Sequence, residues 1–145
     1  MSKSKKDFEL ILKIRSIRAD RAERNMAIAE DQRVQAVIAY DEATALKNEA
    51  RKRVRNIDSG RFAAHSSQIS GRQLKDAAMA AREAKALLQD AVSDVFVKSE
   101  QRKQATLNAT VLREVYNSSQ KMVIKTEAVI EQLSEENPEE KDARV

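Results

Sequence analysis

The chain has 145 residues, a formal net charge of +4, no cysteine, two glycines, one proline and 3% aromatic side chains. That composition leaves room for one domain and excludes a disulfide framework or a thiolate metal site. Ala, Glu, Lys, Leu and Arg make up about half of the residues, as they do in long helices, and the turn formers that sheets require are scarce.

The opening MSKSKKDFEL reads as a small disordered basic tail over residues 1–6, running into a short apolar stretch broken by Lys13 and Arg15. It lacks the apolar core of a signal peptide, and no segment has the length of a membrane span. The expectation is a cytoplasmic chain without membrane insertion. From about residue 7 to 57 the pattern predicts one helix, roughly 75 Å long at the α-helical rise. Alanine recurs there every seven residues, at Ala22, Ala29, Ala36, Ala43 and Ala50. Ala19, Met26, Arg33, Tyr40 and Lys47 stand three residues before them, and Val54 and Ile57 continue the series. Such a 3–4 repeat is the seam of a left-handed coiled coil. Alanine at every second seam position requires the partner helix to approach closely.

Residues 58–71 are small and polar, and Asp58-Ser59-Gly60 reads as a helix stop with glycine as the left-handed cap. Ser70 and Gln73 have the spacing of a capping box, which starts a second helix at about residue 72. Its seam runs in heptads without a stutter from Leu74 and Ala77 to Ile130 and Leu133, so this helix extends to about 134. Residues 135–145 read as a disordered acidic tail. A short break between two long seams predicts an all-α fold, a single domain of two long helices in an antiparallel coiled-coil hairpin. Folding about the middle of the break pairs positions whose numbers sum to about 130, within one turn. Tyr40 is then expected near Ala91, Met26 near Ala105, Ala22 near Ala109 and Phe8 near Val123. Arg33, Lys98 and Arg102 come together at seam positions, where they are expected to extend outward towards Glu30, Asp94 or Glu100.

The two ends of such a hairpin differ. Phe8, Leu10, Ile11, Leu12, Ile14 and Ile17 cover more than one helix face, too much for a two-stranded seam to bury. Ile124, Val129, Ile130 and Leu133 are expected to overhang the first helix at the same end. Exposed apolar surface of this size marks an interface. The other end is basic: residues 47–75 hold eight cations against Glu49 and Asp58. Catalytic chemistry has no foothold. His65 stands in the break without carboxylates or cysteines beside it, and two glycines make no phosphate loop. The expectation is a protein that is not an enzyme, takes no cofactor or metal, and works through its surfaces.

The run Leu10-Ile11-Leu12-Lys13-Ile14-Arg15, followed by Arg18-Ala19-Asp20-Arg21-Ala22-Glu23-Arg24, resembles the opening of the YscO/FliJ-like stalk proteins of type III secretion systems. Those chains are of similar length, all-helical and hairpin-shaped. The resemblance implies a non-catalytic central stalk that links the hexameric secretion ATPase to the cytoplasmic ring of the export gate. It would stand in the bacterial cytoplasm, peripheral to the inner-membrane apparatus, assist export and contact export chaperones. By position, Phe8, Leu10, Leu12, Ile14, Arg15, Arg18 and Arg21 would lie at the ATPase end, joined by Val129, Ile130 and Leu133. Arg53, Arg55, Arg61 and Phe62 would lie at the export-gate end. Two other readings stay open. The basic run Arg51-Lys52-Arg53-Val54-Arg55 suits a nucleic-acid-associated coiled coil, though a reading element is absent and only Phe62 is available for stacking. The apolar terminal end suits a self-associating scaffold.

Overall fold

A computed structural model of the chain describes residues 4–64 and 70–136, the side chains of 61–64 excepted. Two helices, α1 (Lys5–Ala64) and α2 (Gly71–Glu136), pack against each other as an antiparallel hairpin. Both open on a reciprocal capping box. The Ser70 N–H donates to Gln73 Oε1 at 3.2 Å while Ser70 Oγ accepts from the Gln73 N–H at 3.3 Å, as the sequence spacing predicts. Ser4 and Asp7 form the same pair at 3.2 and 3.3 Å. This second box starts α1 at Lys5, so residues 5 and 6 are helical where a disordered tail is expected, and residues 1–3 lie outside the described residues.

The first helix does not stop at Asp58-Ser59-Gly60. It continues to Ala64, and no glycine has positive φ. The heptad count offers a reason: after Val54 and Ile57 the next seam numbers fall on 61 and 64, the latter an alanine. Gly60 is therefore an ordinary helical residue carrying only its propensity cost of about 1 kcal/mol. Residues 65–69, with His65, and residues 137–145, most of the acidic tail, lie outside the described residues.

The longer α1 moves the turn towards the C-terminus and corrects the expected register. Arg15 meets Thr126, Glu30 meets Arg113 and Tyr40 meets Arg102, so these pairs sum to about 140 rather than 130. Tyr40 is thus about three α2 turns away from its expected neighbour Ala91. The overhang disappears for the same reason: Val129, Ile130 and Leu133 are half-buried, as are Phe8 and Leu12. Ile124 alone stays exposed, because it points away from the seam.

Contacts gather into two units, one of residues 1–32 with 106–145 and one of residues 33–105. In the terminal unit the buried positions are Ala19, Ala22, Ala29, Ala109 and Thr126; in the other they are Ala43, Ala81 and Ala84. Every one is a seam position of the sequence pattern. The core is made of the smallest side chains, so each layer removes little apolar area from water and the number of layers supplies the stability. Assigning the heptad as a and d at the seam, Glu30 and Arg113 are both e residues. The contact between them, 3.5 Å at the surface, is the e-to-e pairing of antiparallel strands.

In the unit of residues 33–105, one of the cations at seam positions, Arg102, is accommodated by an aromatic ring. The Arg102 guanidinium carbon lies 4.2 Å from the centroid of the Tyr40 ring, a cation–π arrangement that lets an arginine occupy a half-buried site. Lys98 and Arg33 are half-buried. Glu100, expected as an outlet for these cations, instead pairs with Lys103 at 3.4 Å within α2.

Candidate interaction surface

The terminal unit contains the one fully buried polar side chain among the described residues, Thr126, which is 2% exposed. It sits at a d position of α2, where an apolar residue is the rule. Its hydroxyl donates to the Met122 carbonyl one turn back at 2.8 Å and accepts from Arg15 Nη1 at 2.6 Å. The same guanidinium nitrogen stands 3.5 Å from the Met122 carbonyl oxygen. Arg15 is itself at a seam position of α1. A cation inside the seam is tolerable here because its nitrogen is hydrogen-bonded rather than merely desolvated.

Beside this brace lies an open groove of about 570 Å³, lined by Arg15 and Arg18 from α1 and by Val111, Val115, Ser118 and Met122 among others from α2. Its depth follows from the sequence. The short side chains of Ser118 and Ser119 leave room between the longer ones that line it, the valines, Met122 and the two arginines. The Ser119 hydroxyl is turned back to the Val115 carbonyl at 2.9 Å, so it does not fill the space. Two smaller grooves follow the same g-side flank, one at Asn25, Ile28 and Asn108 in this unit and one at Leu46, Arg53 and Leu87 in the other.

The residues singled out by sequence are not equivalent in the structure. Phe8 and Leu12 help close the seam, with Val129, Ile130 and Leu133 half-buried on α2. Leu10, Ile14 and Ile17 point outward, 60%, 43% and 50% exposed. Arg15 is engaged with α2, whereas Arg18 and Arg21 are exposed and pair with no group among the described residues. The terminal arginines thus divide into one that holds the hairpin and two that face outward.

In the unit of residues 33–105, Arg51, Lys52, Arg53 and Arg55 are all exposed on α1. Arg61 and Phe62 belong to the last turn of α1, and their side chains lie outside the described set. The sequence offered no sign of Phe96, at 67% the most exposed large apolar side chain among the described residues. It occupies a b position, and heptad counting draws attention only to a and d. Among the described residues no group of three or more His, Cys, Asp or Glu side chains is placed to hold a metal. No described helix is long and apolar enough to cross a membrane.

No family model matches the chain, no curated protein matches it, and no solved structure matches it.

Proposed function

We propose that the chain is the non-catalytic central stalk of a type III protein secretion apparatus, joining a hexameric secretion ATPase to the cytoplasmic ring of the export gate. The observation that carries this reading is the segment from Leu10 to Arg24. It resembles the opening of the YscO/FliJ-like stalks, and it lies at the terminal end of a two-helix hairpin. Leu10, Ile14, Ile17, Arg18 and Arg21 are exposed there. Exposed aliphatic side chains interleaved with exposed guanidiniums suit a partner with apolar and acidic groups, as the ATPase would have to supply. Arg53, Arg55, Arg61 and Phe62 are assigned to the export gate on the same reading, and export chaperones are further partners without assigned residues. The cytoplasmic face of the inner membrane is the corresponding location.

Co-purification with the secretion ATPase encoded nearby in the same genome tests this. The ATPase should be retained by the native chain and lost with Leu10→Ser, Ile14→Ser and Ile17→Ser combined, while helicity by circular dichroism stays unchanged. An absence of any secretion ATPase among the neighbouring genes would overturn the reading. The exposed run Arg51-Lys52-Arg53 with Arg55 favours nucleic acid as the second reading. That reading requires salt-sensitive DNA binding that disappears when these four residues are neutralised.

A further inference from the structure

Each helix of the terminal unit carries a second row at 3–4 spacing beside its seam. On α2 the row is Val111, Val115, Ser118 and Met122; on α1 it is Ile11, Ile14, Arg18 and Arg21. Both occupy c and g positions, and the groove of about 570 Å³ joins them, lined by Arg18 with Val111, Val115, Ser118 and Met122. A helix that is apolar only along a and d needs one partner, whereas one with an added flank row has a face wide enough for two. Ile14, Val111, Val115 and Met122 are 43–48% exposed along this flank. The charge around the groove is uneven. Arg15 and Arg18 line it with Glu114 as the single acid, and Arg21 extends the α1 row.

We infer that this flank is the docking site for a third helix, supplied by a partner protein and acidic along the edges of its apolar stripe. The concavity favours a helix over a flat surface, since ridges of side chains are what fill a groove between two helices. The apolar rows take the stripe of the incoming helix. Arg18 and Arg21 pair with its carboxylates, as carboxylates match the fork geometry of guanidinium. Arg15, held by Thr126, lines the groove from the α1 side. The inference goes beyond the stalk reading and stands without it, because it uses the flank of the hairpin and requires no ATPase.

The test uses the full chain and two fluorescein-labelled synthetic peptides of three heptads. Both have leucine at a and d; one has glutamate at e and g, the other lysine. Binding is read by anisotropy. The glutamate peptide should bind in the micromolar range and at least about tenfold more tightly than the lysine peptide. Arg18→Glu should weaken the glutamate peptide and strengthen the lysine peptide, an exchange that a misfolded variant would not give. Val115→Ser should weaken both. Equal binding of the two peptides, or binding unaffected by Val115→Ser, overturns the inference. So does a concentration-dependent dimer in sedimentation that Val115→Ser abolishes, because a second copy would then be the occupant. Failure of the glutamate peptide to bind overturns it as well.

Discussion

Thr126 and Arg15 illustrate how one polar residue in an apolar seam determines the state of another. The Thr126 hydroxyl is both acceptor for Arg15 and donor to the Met122 carbonyl, so its removal leaves a half-buried guanidinium nitrogen short of a partner. Thr126→Val, nearly isosteric, should lower stability by about 1–3 kcal/mol, the range for hydrogen bonds to charged groups, and Thr126→Ser should recover most of it. Equilibrium urea unfolding measures both. Neither residue is conspicuous in the sequence. Arg15 reads there as one more cation of an arginine-rich run, and Thr126 as an imperfect seam residue. Their relation depends on register, to which heptad counting is blind: moving one helix by seven residues leaves every seam position a seam position.

At the scale of the helices, the pattern of apolar residues located almost everything that periodicity can locate. Among the described residues the buried ones all fall on the predicted seam, and the Ser70–Gln73 box starts α2 where its spacing indicates. The end of α1 was not legible, because Asp58-Ser59-Gly60 carries a local stop signal that the continuing heptad overrides. Gly60 gives a direct check. Its φ is not positive, and a Cβ built on it meets nothing within 4 Å. Gly60→Ala should therefore raise stability by about 0.5–1 kcal/mol through helix propensity and reduced unfolded-chain entropy. A left-handed cap at this position would give destabilisation instead, so thermal melting of this variant distinguishes the two. The alanine seam makes the opposite prediction for enlargement. Ala84 is 1% exposed, and Ala84→Leu should cost about 1–3 kcal/mol by overpacking, seen as a lowered urea midpoint with the helical signal of the native baseline retained.

For the molecule as a whole, the hairpin orders its contacts by distance along the chain. Tyr40 and Arg102 are 62 residues apart, whereas Arg15 and Thr126 are separated by 111. Closing a longer loop costs more entropy before any contact forms, so pairing near the turn is expected to precede pairing at the termini. Stopped-flow kinetics can separate the two. Thr126→Val should accelerate unfolding and leave the folding rate nearly unchanged, whereas Ala84→Gly, in the unit of residues 33–105, should slow folding. The reverse assignment would place the nucleus at the chain ends. A second feature at this scale is legible only in part: sequence showed that the terminal segment has more aliphatic residues than one seam can use. It did not show that Phe8 and Leu12 turn inward while Leu10, Ile14 and Ile17 turn outward, because that division follows from where α1 starts and from the register.

A seam with alanine at every second position from Ala22 to Ala50 resembles a ladder in which alternate rungs are identical. One helix could slide by a heptad against the other and find nearly the same small side chains waiting. Among the described residues, three unlike pegs help to distinguish the native alignment: Arg15 on Thr126, Glu30 on Arg113, and Arg102 on Tyr40. Two of them use arginine at a place where leucine would have given a stronger but indifferent grip. The chain has thus traded adhesion for alignment. Its ability to set Arg18 across from Val115 and Met122 depends on contacts of this kind as well as on its alanine core.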